Sequence, residues 1–395
     1  MQLSEVRRWR LSLFVFMFSV GFAMASWITR TPAIRDSIHA SIAIMGLVLL
    51  GLSGGSMLGI TSSGRLVRRF GTRPVIGIGA FFMAIGNTIT AISTGFGTIS
   101  GVFLGLFISG ASGGLADIAL NIDGSDVENR LGKPVMPALH GCFSLGSLVG
   151  AIVGIGLTAI NFPVAWHLTI GVVLMGLISI WAYLGLPIQN SNNDTSVTEV
   201  KEVANDKSVW RDKNLLLLGV VLLALAFTEG AANDWLPLLV VDGLKYSAAQ
   251  SSAVFAAFTA VMTIGRFTGV LLINRFGKQG VLFGSIITAA IGVLLVSLAT
   301  QPILIILGVA FWGLGASLGF PVTISIAGDS KDRPEQRVSA VATGGYIAFL
   351  VGPPALGFLG QHYGLKTAIL LVVAFLVVAA FAVTVRIRAT EVKVS

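Results

Sequence analysis

The sequence predicts an all-α polytopic membrane protein, with twelve transmembrane helices in two pseudo-symmetric six-helix bundles. Three observations predict it. Only 11% of the 395 residues are charged and 54% are hydrophobic, with a mean hydropathy of +0.88, whereas soluble domains carry about 25% charged residues. The hydrophobic residues fall into twelve runs of about 20, the length at which a helix crosses ~30 Å of hydrocarbon with its backbone polar groups paired. The two halves also repeat each other: Arg69-Phe70-Gly71 returns as Arg275-Phe276-Gly277, and Gly110-Ala111-Ser112 with Gly114 returns as Gly315-Ala316-Ser317 with Gly319. The runs lack the ten-residue alternation of barrel strands, which excludes a β-barrel.

Taken in order, the runs alternate with basic clusters. Run 11–29 follows Arg7, Arg8 and Arg10, and run 42–62 leads into Arg65, Arg68 and Arg69. Run 75–95 follows Arg73, and runs 98–121 and 137–160 flank Arg130 and Lys133. Run 164–186 opens onto the polar segment 187–212, which carries Lys201, Lys207 and Arg211, and run 213–237 leaves it. Runs 248–272 and 281–300 flank Arg275 and Lys278, and runs 303–327 and 338–360 flank Lys331, Arg333 and Arg337. Run 366–386 ends at Arg386, Arg388 and Lys393. The intervening outer segments hold only Arg30, Arg35, Lys245 and Lys366.

By the positive-inside rule both termini are cytoplasmic, as in a multi-pass protein of a bacterial inner membrane. A cleaved signal peptide ending at Ala23-Met24-Ala25 is the competing reading of the N-terminus, and the even alternation of charge argues against it. The expected organisation is an N-terminal bundle over 1–186, a cytoplasmic linker over 187–212 and a C-terminal bundle over 213–395. The formal net charge of +8 is thereby topological and calls for no nucleic acid. The single Cys142 excludes an intrachain disulfide framework and, with four histidines, argues against a Cys/His metal site. No cofactor and no metal is expected. The partners are a small-molecule solute, protons and the lipid bilayer, and the chain is expected to be a monomer. Many of the 48 glycines recur at four-residue spacing, which lets helix backbones approach closely.

Charge inside hydrocarbon is costly and marks function by default. Asp117 and Glu229 sit inside apolar runs, and each is followed four residues later by asparagine, Asn121 and Asn233. That spacing puts acid and amide on one helical face. The face offers a carboxylate able to take up a proton beside an amide able to bind a polar ligand, so Asp117 and Glu229 are the candidate proton carriers. The candidate substrate contacts are Asn121, Asn233, His140, Trp312, Asp234, Arg30 and Trp27. Among these, Trp312 lies near the midplane, where it either stacks on a ligand or fills space, and Arg30 lies at the outer end of its helix, where interface anchoring is the plainer role. Trp166, Trp181, Trp210 and Trp235 fit aromatic belts at the membrane surfaces. Arg266 is expected to pair with a helix end near the inner surface, with an anionic ligand as the alternative.

The twelve helices, the 6+6 repeat and the basic loop after the second run resemble the major facilitator superfamily along the whole chain. The signature segment of that loop reads Gly64-Arg65-Leu66-Val67-Arg68-Arg69-Phe70-Gly71-Thr72-Arg73, with Arg68 where the family carries aspartate. Its counterpart in the second half reads Leu272-Ile273-Asn274-Arg275-Phe276-Gly277-Lys278, with Asn274 at the same place. The resemblance implies that Gly64, Arg68, Arg69, Gly71, Arg73, Asn274, Arg275 and Gly277 belong to conformational gating segments. Gly319-Phe320-Pro321-Val322-Thr323 and the segment from Gly352-Pro353-Pro354 to His362-Tyr363-Gly364 are similar to the fucose/proton symporter branch. In that comparison Asp117 falls at a proton-coupling acid, His140 at a substrate-contacting position and Glu229 at an acid of the seventh helix. The run Ser26-Trp27-Ile28-Thr29-Arg30-Thr31-Pro32 and the run Glu229-Gly230-Ala231-Ala232-Asn233-Asp234-Trp235 also resemble bacterial proteins of the YbjJ and MosC type.

The expected function is secondary active transport by alternating access, as proton-coupled symport of a small sugar-like or polyol solute. Proton-driven export of drugs or metabolites is the alternative, and a non-transporting sensor a third. The sequence has no Gly-x-x-x-x-Gly-Lys-Ser/Thr phosphate loop and no nucleophile or metal cluster, so an enzyme is not expected.

Overall fold

A computed structural model describes residues 2–133, 135–188, 212–330 and 333–391. Most of the expected linker, with Trp210, Lys201, Lys207 and Arg211, and also Lys331 and Lys393, lie outside the described residues. Thirteen α-helices make up the described chain: α1 Leu3–Ile28, α2 Thr31–Ser37, α3 Ile42–Phe70, α4 Thr72–Gly95, α5 Ile99–Leu131, α6 Met136–Ala159, α7 Val164–Tyr183, α8 Lys213–Leu238, α9 Ala248–Leu298, α10 Pro302–Gly328, α11 Pro334–Tyr363, α12 Leu365–Ala368 and α13 Leu370–Glu391. A π turn, Leu239–Gly243, continues α8 just beyond Pro237, whose missing N–H loosens the regular ladder.

Eleven of these stretches are long and apolar enough to cross a membrane. One of them, the 51-residue α9, would extend more than about 70 Å as a straight rod, over twice the hydrocarbon thickness. It does not run straight. Gly277 breaks it with φ 70° and ψ 162°, giving two arms, 248–276 and 278–298, and twelve crossings in all.

The break is half of a matched pair. Gly71 separates α3 from α4 with φ 80° and ψ 168°, nearly the same backbone as Gly277. At both glycines an added Cβ would meet nothing within 4 Å. Glycine is therefore required there for its left-handed φ and not for space. The preceding residues match too, with the Arg69 guanidinium 5.2 Å from the Phe70 ring centre and Arg275 5.5 Å from that of Phe276. The sequence repeat is thus a repeat of geometry. The small-residue repeat is not: a Cβ on Gly110 would strike the carbonyl of Leu52, whereas one on Gly315 would strike the backbone of Ala289.

Several elements differ from the hydropathy reading. The segments 64–73 and 272–278 are helix up to and after their glycines, not loops. α1 begins eight residues early at Leu3, where Glu5 accepts the backbone N–H of Gln2 at 2.8 Å. α5 continues ten residues past 121 to Leu131. In each case polar turns of a helix extend beyond the lipid core, which hydropathy alone delimits.

Two compact units comprise 1–200 with 248–253, and 201–247 with 254–395. In the first, α3 packs on α5 and α1 on α6 through glycines that leave no room for a side chain. A Cβ on Gly55 would strike the Phe107 carbonyl, one on Gly59 that of Ala111, and one on Gly146 that of Phe18. A core of Trp9, Leu13, Phe16, Met17, Ile76 and Leu120 fills one part of this unit. Large exposed apolar residues such as Phe81, Val173, Leu177 and Ile180 cover its outer face, as lipid contact requires.

Candidate functional site

The first unit presents Asp117 and Asn121 on one face of α5. Asn121 donates a side-chain hydrogen bond to the Asp117 carboxylate, and the His140 imidazole, in the second turn of α6, lies within electrostatic reach of it. Asp117 and His140 are exposed within the chain, and Asn121 is half-buried. The Asn121 Oδ1, itself shielded from solvent, has no hydrogen-bond partner. Three of the expected residues are therefore brought together as a carboxylate, an amide with a spare acceptor and an imidazole.

The second unit holds the other acid. Arg266 of α9 donates from Nη2 to Glu229 Oε1 of α8 at 3.0 Å, with 27% and 17% of their side chains exposed. Counting ~1.5 Å per residue, Glu229 lies about 24 Å from the start of α8, so this ion pair sits within the hydrocarbon. The expectation that Arg266 pairs with a helix end near the inner surface is corrected by its contact with Glu229. Asn233 stands one turn beyond Glu229, and Asn233 and Asp234 are both half-buried.

Other expected site residues have structural roles. Trp312 is fully buried, its indole N–H donating to the Thr228 carbonyl at 3.0 Å and its ring edge-on to Phe258 at 6.0 Å. It fills the gap between helices and offers no face to a ligand. Trp235 is 1% exposed, so it is a core residue and no belt, whereas Trp166 at 62% and Trp181 at 53% face outward as belts do. Trp27 and Arg30 are each 3% exposed. Arg30 donates from Nη1 to Thr158 Oγ1 at 2.8 Å and from Nη2 to the Phe162 carbonyl. It is no interface anchor: it ties the end of α1 to the end of α6, where cations suit the helix dipole.

In the segments around the two glycine breaks, Arg68, Arg69, Asn274 and Arg275 are exposed, Gly64 lies beside Arg68, and Gly71 and Gly277 form the breaks themselves. Arg73 stacks over Tyr183 at 4.9 Å.

Carboxylates near the helix ends carry contacts that hydropathy does not signal. Asp123 is fully buried and accepts the Trp9 indole N–H at 2.8 Å. Arg130 covers that indole at 5.8 Å. Glu128 Oε2 accepts the backbone N–H groups of Val135 at 2.6 Å and Met136 at 3.0 Å, capping α6. Lys278 pairs with Asp329 at 2.6 Å, and Arg337 with Asp212 at 2.7 Å. Asp123 had no clear sequence signal, because Asp123-Gly124 reads as a turn dipeptide although α5 runs through it.

The family model of the major facilitator superfamily matches residues 11–330 and 235–395. An uncharacterised MFS-type transporter of Yersinia pestis is 28% identical over 357 residues, covering 89% of this chain and 88% of its own. The membrane protein MosC of Rhizobium meliloti is 25% identical over 377 residues, covering 93% and 88%. Among solved structures, the nucleoside transporter NupG aligns with a TM-score of 0.79 at 18% identity, covering 96% of this chain and 99% of that one. The E. coli fucose:proton symporter FucP aligns with a TM-score of 0.61 at 16% identity, covering 94% and 98%.

Proposed function

The chain belongs to the major facilitator superfamily, and from that premise we propose that it is a proton-coupled symporter of a small polyhydroxy solute in a bacterial inner membrane. The coarser part of this statement, a multi-pass transporter of a small-molecule solute, follows from the family itself. The halves 1–186 and 213–395, joined by the linker 187–212, alternate access with both termini in the cytoplasm. Asp117 and Glu229 carry the proton, while Asn121, His140, Asn233 and Asp234 contact the solute. The inner segments around Gly71 and Gly277 gate the change.

The observation that carries this reading is the Asp117 group. A carboxylate in a spanning helix is expensive, and this one is bonded by an amide and influenced by an imidazole while remaining exposed within the chain. A purely structural acid is better served by enclosure, as Asp123 is, with one oxygen on the Trp9 indole N–H. The likeness to a fucose:proton symporter supports the same class of cargo.

The test is uptake into proteoliposomes of a panel of labelled hexoses and polyols under an inward proton gradient. Asp117→Asn abolishes uphill uptake and leaves substrate counterflow intact. Uphill uptake that survives in this variant removes Asp117 from coupling.

A further inference from the structure

We propose that the first unit holds a lipid site separate from the Asp117 group. Its occupant is a neutral single-chain lipid with a hydroxyl head, a long-chain alcohol or monoacylglycerol, lying in an apolar slot between α1, α4, α5 and α7. The site is independent of the transport reading.

The slot offers about 690 Å³ of empty space, counting its open mouth. Its walls come from Phe16 to Ser26 on α1, Ile76 to Asn87 on α4 and Leu168 to Ser179 on α7. On each helix the lining residues recur at three- and four-residue spacing, so the slot runs along the helices and not across them. Ten residue steps on α1 and eleven on α4 and α7, at ~1.5 Å each, make it about 15 Å long. That is about half of the ~30 Å hydrocarbon core, the depth of one leaflet's chains. Ala116 and Leu120 close the slot on α5. Asp117 and Asn121 are each one position further on, about 100° round the helix, and face elsewhere.

The wall glycines differ from those that bring backbones together. A Cβ on Gly176 would meet nothing within 4 Å, and one on Gly171 only a Phe22 ring atom at 3.9 Å. They keep a space open where Gly55 and Gly59 close one.

Asn87 points to what fills it. An asparagine inside a spanning helix ordinarily bonds a neighbouring helix. Asn87 is 9% exposed, lines the slot and has no side-chain hydrogen bond among the described residues. Such an amide is costly without a partner. Ser19 and Ser26 reach the same slot with their O–H groups already donated to the Val15 and Phe22 carbonyls, at 2.9 and 2.8 Å. Their oxygens are left able only to accept.

These groups select the head. No ionisable residue lines the slot, so a charged head would lie unpaired at low dielectric. A ketone or ether accepts only and leaves the serine oxygens unmet. A hydroxyl donates and accepts, which suits both the serines and the amide. The alkyl chain covers the apolar walls, and the surrounding bilayer is its source.

The test uses the full chain in phosphatidylcholine nanodiscs and a dodecanol probe with a photoreactive diazirine midway along its chain. Crosslinks are mapped by peptide mass spectrometry. Saturable labelling is expected on slot residues of α4 and α7, Met83 and Met175 among them. Unlabelled dodecanol competes on the order of tenfold better than dodecane, which has no head. Dodecyltrimethylammonium, equal in chain length but permanently charged, does not compete. Asn87→Leu makes dodecanol and dodecane equal competitors and leaves the melting temperature unchanged or raised, whereas loss of a structural amide would lower it. Gly176→Leu fills the slot and abolishes labelling at an unchanged melting temperature. Labelling that never saturates, or that spreads evenly over lipid-facing helices, means annular contact only and overturns the inference. So does equal competition by the charged chain, or a preference for dodecanol that survives in Asn87→Leu.

Discussion

Trp9 and Asp123 are joined by a 2.8 Å hydrogen bond between residues 1% and 0% exposed, fastening α1 to α5 through a carboxylate that no solvent reaches. Such a carboxylate depends on its donors, because an unsatisfied buried acceptor costs its full desolvation. Trp9→Phe keeps most of the ring volume and removes the N–H. It is expected to destabilise the protein by about 1–3 kcal/mol, seen as a lower melting temperature in detergent. Trp166→Phe, at a position 62% exposed, leaves the melting temperature unchanged. Equal melting temperatures for the two variants would show that the indole bond is dispensable.

The glycine contacts give a sharper contrast. Gly55→Ala drives a methyl into the Phe107 carbonyl and must push α3 from α5, whereas a Cβ added at Gly156 meets nothing within 4 Å. Overpacking of this kind costs about 1–3 kcal/mol, while Gly156→Ala changes stability by less than about 1 kcal/mol, in the favourable direction. Yield of folded protein on size-exclusion chromatography and the melting temperature report both. A Gly55→Ala protein as stable as the parent is incompatible with the close approach.

Trp312→Phe separates packing from recognition. The indole donates to Thr228 and has no exposed surface, so Trp312→Phe is expected to destabilise the protein by the worth of one buried hydrogen bond, about 0.5–1.5 kcal/mol, seen as a lower melting temperature. Solute affinity stays within about twofold, since no ligand contact is lost. Lost affinity at unchanged stability would make Trp312 a wall of the binding site after all.

The N-terminal end of α8 carries a pH-sensitive clasp. Burial pushes the Asp212 carboxyl up, but the Arg337 hydrogen bond and charge and the amides of Leu215 and Asn214 more than offset it, holding the group below its ordinary value. A depressed carboxyl favours the native state above the unfolded pKa, near about 3.9, and that contribution fades as the pH falls through the lower native value. Asp212→Asn therefore narrows the gap from wild type as melting is followed from about pH 6 down to about pH 3. A gap that widens on acidification would contradict the depressed carboxyl.

Hydropathy delimited the helices where they cross lipid and misplaced their ends, because α1 and α5 carry polar turns past the membrane surface. Asp123 falls in such a turn of α5, beyond the hydropathy run that ends at 121. The pairing of Asp117 with Asn121 was legible because i and i+4 on a helix are neighbours whatever the fold. Glu229 with Arg266 was not, since the two lie 37 residues apart on different helices. The aromatic residues show the same limit in another form. Position along a run fixes depth in the membrane but not which way the side chain turns, and Trp312 and Trp235 turn inward. Gly71 and Gly277 were recognisable as a repeat, and a shared left-handed φ gives that repeat its physical content.

Where Gly55, Gly59 and Gly146 meet Phe107, Ala111 and Phe18, the contact is backbone against backbone. Helix packing in this unit is therefore specified largely by residues without side chains, while the polar groups proposed to meet the solute lie at other positions. The two kinds of information occupy separate letters of the sequence. Exchanging the polar letters can redirect the cargo without disturbing the packing, so the scaffold is evolvable in cargo while staying strict in architecture.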